Sequence, residues 1–414
     1  MIVWSHKNVT NSILDLQTML KMQQSDGFIP EEIFWSHRTP KEELELLSQY
    51  SNTRYSDITQ MPVLPYSLRA IVNKVKEESG MVKAKLIAKE FLYSLVNYFK
   101  WWRNTRDLGD GLVVIIHNWE SGLDASPAYD PAFHTYITSL NDSALNMLYP
   151  KFVELAETYR FAYGWNVTEI LSRTKKPDYL PDIIDTWFVV KDIGLNSVYA
   201  SGWRVLSELA LFIDDSETAS YCEKESAKSS QAILSKMYSS EQGHFQSLYV
   251  DNDGVEKFSQ ANTIQNIFPL LLKDLSSEHL DLLVGQIKDS NKFGGNLYAL
   301  PTGTLSPVHT KHVPSLLIHL RIVAIDDPQF WPNFEVDLMW RGTIWGFTNW
   351  FVLEGLELHG QTELQTLIMN KWIALVQKSG INEFYQPFDG TPLGVEGVGM
   401  STLIVDFLYR MKYV

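Results

Sequence analysis

The sequence predicts an all-α protein, a closed double ring of helices with a short β arm, carried as one domain over residues 1–414. Three observations predict it. Apolar residues recur at three- and four-residue steps through much of the chain, the signature of one-sided helices. Turn chemistry separates these stretches, and no linker or sharp change of composition interrupts them. A helical solenoid would repeat a consensus at fixed period; none is present, so the paired helices are expected to close on themselves.

The elements follow in order. Helical periodicity marks 11–23, 82–101, 192–213, 261–275, 315–323, 344–358 and 363–377. Within 192–213 the apolar set is Ile193, Leu195, Val198, Val205, Leu206, Leu209 and Phe212. Breaks fall at Ser25-Asp26-Gly27, Gly109-Asp110-Gly111, Asp251-Asn252-Asp253-Gly254 and Asp326-Asp327-Pro328, residues that favour turns. The stretch 243–250 reads as a short hairpin arm.

Composition narrows the function. A formal charge of −14 argues against nucleic acid and against broad contact with anionic membranes. No apolar run reaches the length of a membrane span. The chain has 13 Trp, 19 Tyr and 20 Phe, which suits a ligand with flat faces, although most such rings belong to a core. The single cysteine, Cys222, excludes an internal disulfide, and the first residues lack the pattern of a secretory signal. A cytoplasmic protein acting on a small molecule is expected, and a homo-oligomer is compatible with the sequence.

Two separated segments carry the chemistry. Residues 119–127 read WESGLDASP and residues 382–387 read NEFYQP. Each sets a carboxylate, Asp124 or Glu383, in an aromatic stretch. Two carboxylates from distant parts of a chain are what glycoside hydrolysis uses, one as acid and one as base or nucleophile. The plainer reading makes Asp124 a helix cap and Glu383 a solvated charge.

The motifs decide between these readings. WESGLDASP resembles the "WESGLDxSP" signature of the (α/α)6-barrel glycosidases of families 63 and 37. Trp340-Arg341-Gly342-Thr343-Ile344-Trp345 resembles their "WRGPxW" segment, and 383–390 is similar to "ExYxPxTG". Weaker likenesses lie at 27–31, 59–62 and 191–196. The matches run in family order along nearly the whole chain. The resemblance implies an (α/α)6 barrel and an inverting mechanism, with Asp124 as general acid and Glu383 as the base that activates water. Burial beside Trp119 and Leu123 would raise the Asp124 pKa in the direction a general acid needs. It also implies sugar contacts from Gln60, Trp119, Trp340, Arg341 and Tyr385. Glu120 is expected to bind sugar hydroxyls or to orient Trp119 and Arg341; Trp35 and Tyr129 are expected sugar platforms. Asp192 and Asn196 are expected to brace the barrel. Arg160 is a candidate for a glycerate carboxylate.

The likeness has gaps. The family's first helix carries "WxWDS" after an upstream aromatic segment, whereas here Trp4-Ser5-His6 stands in that place and Ser5 replaces the acid. Ala128 stands where an Arg is common, Thr343 replaces a Pro, and 398–401 departs from the stretch that follows the base. An altered specificity is therefore expected. The alternatives are a barrel turned to non-glycosidic acid chemistry through Asp124, and a sugar-binding protein without chemistry. No cofactor is expected. Metal binding is not expected either: His309 and His312 lie in a proline-flanked segment with no third ligand apparent.

Overall fold

The computed structural model describes residues 1–33, 55–56, 58–124, 126–132, 188–251, 253–289, 292–293, 340, 342–387 and 389–412. Its contacts divide the chain into two compact units. The first comprises Met1–Ala125, Tyr129–Met237 and Ser247–Ser259; the second comprises Ser126–Ala128, Tyr238–Gln246 and Gln260–Val414.

The first unit is built on helices α1 (Ile2–Lys7), α2 (Val9–Leu20), α3 (Leu64–Arg106), α4 (Ile193–Phe212) and α5 (Ser216–Lys236). Side chains start three of them, α2, α4 and α5, where backbone N–H groups lack partners. Asn8 accepts from the Asn11 amide at the head of α2. Asp192 accepts from Leu195 at 2.6 Å for α4, and Asp215 accepts from Thr218 at 3.0 Å for α5. Proline opens α3, and Gly80 breaks it with a φ of 84°, a left-handed conformation open to glycine. Helix α4 is buried on nearly every side, as a central helix must be. It meets α3 through Phe99, which stacks on Tyr199 at 5.3 Å and meets Trp203 edge-on. Gly202 permits this approach: a Cβ there would lie 2.5 Å from the Phe99 ring.

A small antiparallel sheet orders Val190–Lys191, Leu248–Val250 and Glu256–Phe258 side by side. Val190 also exchanges backbone hydrogen bonds with Ile115. Asn196 holds Val113 by both its N–H and its carbonyl, each at 2.9 Å. The stretch leading to the WESGLD loop is thus pinned to the head of α4.

The second unit contains α6 (Ser277–Lys288), α7 (Gly346–Leu358), α8 (Thr362–Ser379) and α9 (Ile404–Arg410). Its three-stranded sheet pairs Asn382–Tyr385 with Ile344–Trp345 on one side and Pro392–Glu396 on the other. Ile344, Leu375 and Tyr385 form a cluster beneath it.

Several sequence expectations are corrected. Residues 261–275 do not form an α-helix: Ile264–Leu271 winds as a tighter 3₁₀ helix with Pro269 inside it, a residue that denies an α-helix its hydrogen bond. Residues 243–250 are not one hairpin, because His244–Phe245 pairs with Tyr238–Ser239 while Leu248–Val250 joins the other sheet. Ile344 and Trp345 begin the expected 344–358 helix as a strand. Helix α5 shows no clear periodicity in the sequence, since its serines, alanines and charges dilute the apolar stripe. The expected helix at 315–323 lies outside the described residues.

Gly202→Ala is expected to cost about 1–3 kcal/mol by overpacking against Phe99. An unfolding free energy in urea lowered by that amount checks it.

Candidate active site

In the first unit the site is assembled on three segments tied by one carboxylate. Glu120 is wholly buried. One of its oxygens accepts from Arg106 Nη2 at 2.8 Å and the other from the Ile116 amide at 2.9 Å. The Thr59 backbone amide also donates to this carboxylate. Burial pushes the Glu120 pKa up, while Arg106 and these amides pull it down. Arg106, at the end of α3, lies over the Trp101 ring at 5.1 Å. Glu120 is expected to bind sugar hydroxyls or to orient Trp119 and Arg341; Arg341 lies outside the described residues, and Arg106, which sequence reasoning missed, pairs with Glu120.

The loop that follows is short and self-bonded. His117 Nδ1 accepts from the Trp119 amide at 3.1 Å, starting a 3₁₀ turn over Asn118–Ser121. Ser121 Oγ donates to Asn118 O at 2.6 Å and accepts from Leu123 N at 3.0 Å. Gly122 closes the turn at φ 66°. Asn118 Nδ2 donates to Asp124 O at 2.7 Å. These bonds fix the backbone of Asp124, which is half-buried, as is Trp119.

Gln60 and Glu31 face this loop. A Cβ on Gly122 would lie 3.4 Å from Gln60 Oε1, and Gln60 Nε2 donates to Glu31 Oε1. The two residues sit on paired segments: Glu31 N donates to Ile58 O, and Thr59 Oγ1 donates to Ile29 O. Tyr98 of α3 fastens the pair by donating to Gln60 O at 2.8 Å. Burial pushes the Glu31 carboxyl from its ordinary 4.5 up to about 9; the Gln60 amide opposes this, and the nearby charges of Asp124, Glu32 and Glu120 add to it. Glu31 Oε2 is buried without a hydrogen-bond partner among the described residues. In the sequence Glu31 stands only within the weak likeness at 27–31, and its burial leaves no signal there.

Tyr129, expected as a sugar platform, is wholly buried; its hydroxyl donates to Asp192 at 3.1 Å and its ring meets Phe188 edge-on. This corrects the expectation: the ring packs in the core. Burial raises the Asp192 carboxyl to about 6 against the hydrogen bonds from Leu195, Tyr129 and Ser247.

In the second unit, Trp340 and Trp345 stack at 3.9 Å, and Trp345 stacks on Phe384 at 4.8 Å. Thr343, the departure from the family's proline, accepts the Trp345 indole N–H at 2.9 Å. Glu383 lies half-buried on its strand. The Tyr385 hydroxyl donates to Gly380 O at 2.7 Å and accepts from Asn382 N at 3.0 Å, so it braces the strand. Ser401, another departure, is buried and donates to Asn382 O. The structure thus brings Gln60, Trp119, Glu120 and Asp124 together in one unit, and Trp340, Glu383 and Tyr385 in the other. Trp35, Arg160, His309, His312 and Arg341 lie outside the described residues. Among the described residues no group of three or more His, Cys, Asp and Glu could hold a metal ion, and no helix is long and apolar enough to cross a membrane.

A family model, the Mannosylglycerate hydrolase MGH1-like glycoside hydrolase domain, matches residues 13–401. The chain belongs to this family of glycoside hydrolases. It is 26% identical over 396 residues to the mannosylglycerate hydrolase of Thermus thermophilus, covering 94% of this chain and 86% of that relative. It is 21% identical over 423 residues to the glucosylglycerate hydrolase of Mycolicibacterium hassiacum, covering 94% and 84%. Among solved structures, a family 63 mannosylglycerate hydrolase of Thermus thermophilus in complex with Tris and D-glycerate matches with a TM-score of 0.74. That match has 22% identity and covers 99% of this chain and 91% of that one. The fold is the (α/α)6 barrel of that family.

Two predictions follow from the site's electrostatics. Arg106→Met leaves Glu120 buried without its cation and is expected to cost about 3–5 kcal/mol, read as a lowered urea midpoint. For Glu31, a folded pKa above the unfolded one gives stability that is fully present below about pH 4.5 and lost as pH rises through about 9. Glu31→Gln removes that ionisation, so its stability relative to the parent should grow between pH 5 and pH 9, measured by thermal unfolding at each pH.

Proposed function

We propose that this chain hydrolyses, with inversion, a small α-mannoside or α-glucoside of glycerate. The family match over residues 13–401, which spans both carboxylate motifs, carries this reading. Relatives named mannosylglycerate and glucosylglycerate hydrolases supply the substrate class.

In this reading Asp124 is the general acid. It gives its proton to the oxygen leaving with glycerate as the bond to the anomeric carbon breaks. Glu383 takes a proton from the water that attacks the opposite face. Inversion asks for carboxyls about 6.5–9.5 Å apart, leaving room for that water. Gln60 suits sugar hydroxyls because an amide both donates and accepts. Trp119 offers an apolar face to the ring, with Trp35 and Arg341 as further sugar contacts; Trp340, buried and stacked on Trp345, supports the Glu383 strand from within. Glu120 and Tyr385 act one layer back: their oxygens already bond the frames that carry Asp124 and Glu383. The buried, unpaired Cys222 fits a cytoplasmic enzyme.

Asp124→Asn and Glu383→Gln are each expected to lower kcat on α-mannosylglycerate or α-glucosylglycerate by roughly 10²–10⁴-fold, with folding unchanged by circular dichroism. Unchanged kcat in either variant would refute its assigned role.

A further inference from the structure

The strand bearing Glu383 is out of register with its outer neighbour. Asn382 pairs with Glu396 and Phe384 with Leu393. One residue, Glu383, therefore faces two, Gly394 and Val395. This is a β-bulge, a device that adds local twist and re-aims groups next to active sites. Gly394 holds the left-handed conformation at φ 70°. The bulge directs the Val395 N–H onto Glu383 Oε2 at 3.0 Å. Among the described residues this is the only hydrogen bond to the Glu383 carboxylate, so Oε1 stays open. The approach tolerates no side chain at residue 394. A Cβ there would lie 2.5 Å from Glu383 Oε2 and 2.6 Å from the Phe384 ring.

The strand Pro392–Glu396 buries little of its own. Its residues are mostly exposed, and Val395 is 63% exposed. Core packing therefore does not account for its placement. Its turn is nonetheless firmly closed: Gln386 N donates to Thr391 O at 2.9 Å, and Ser379 Oγ donates to Gly390 O at 2.6 Å. An exposed strand, closed at its turn and bulged at one carboxylate, is built to present a backbone donor.

We infer that the Gly394–Val395 bulge is the positioning element for the base, fixing Glu383 Oε2 through the Val395 N–H so that Oε1 meets the attacking water. This rests on Glu383 being the base. Gly394 and Val395 act through Glu383 and touch no substrate themselves.

The test uses α-mannosyl fluoride and α-glucosyl fluoride, whose leaving group needs no proton from Asp124, so kcat reports the base alone. Val395→Pro removes the N–H. Its kcat should fall by roughly 10-fold or more with KM changed little, while Val395→Ala, which keeps the N–H, should restore the parent's kcat. Gly394→Asn tolerates a left-handed backbone but brings the Cβ against the carboxylate. Its kcat should fall by roughly 10²-fold, the scale of a misplaced catalytic group, with KM changed little.

The outcomes separate the inference from its premise. Glu383→Gln with the parent's rate on the fluorides, or turnover of neither fluoride by the parent, removes the base assignment and the inference with it. An inactive Glu383→Gln beside Val395→Pro and Gly394→Asn variants with the parent's kcat overturns the inference alone. If Val395→Pro fails to fold, the Gly394→Asn kcat and KM decide in the same way.

Discussion

One buried carboxylate holds the motif loop of the first unit in place. Glu120 takes hydrogen bonds from Arg106 at the end of α3, from Ile116 at the start of the motif loop, and from Thr59 beside Gln60. A charge in a dry interior is tolerated only when it is paired and bonded. That requirement fixes three segments at once, and the backbone of Asp124 follows through the closed 3₁₀ turn. Much of what the motif specifies is therefore this support. Glu31 is the counterpoint: buried beside Gln60, its carboxyl stays un-ionised near neutral pH. Glu120 stands beside a guanidinium and Glu31 beside an amide, so two neighbouring acids are held differently by their partners.

The second unit positions its carboxylate by other means. Glu383 has no described cation beside it. Its strand is gripped from within by Tyr385 and Ser401, and packed by the stack of Trp340, Trp345 and Phe384. Backbone N–H groups and rings are rigid donors and walls that need no ionisation of their own. Among the described residues, the Glu383 carboxylate is held by such a backbone N–H.

Much of this was legible in the sequence where local chemistry repeats or spells a motif. The stripes of α2, α4 and α8 showed because each helix buries one side or more. The motif at 119–127 showed because turn glycine, bonded serine and tight loop leave few alternatives. Tertiary pairing stayed hidden. Nothing near Glu120 announces Arg106, fourteen residues earlier on another element. Glu31 looks like an ordinary surface acid until Ile58 and Gln60 fold over it. The β arm was misread because Gly243 to Val250 alternates like one hairpin, yet its two halves pair with partners that periodicity cannot reveal. Pro269, plain in the sequence, should have ended the expected helix at 261–275.

The departures from the family pattern also have physical content. Thr343 supplies a hydroxyl for the Trp345 indole where a proline would supply none, and Ser401 secures the strand that carries Glu383. The most direct measurement is proton NMR of the anomeric signal during early turnover of α-mannosylglycerate and α-glucosylglycerate. Inversion by Asp124 and Glu383 predicts that the β-anomer of the free sugar forms first and then mutarotates. Initial release of the α-anomer, or no turnover of either glycoside by the folded protein, would contradict it.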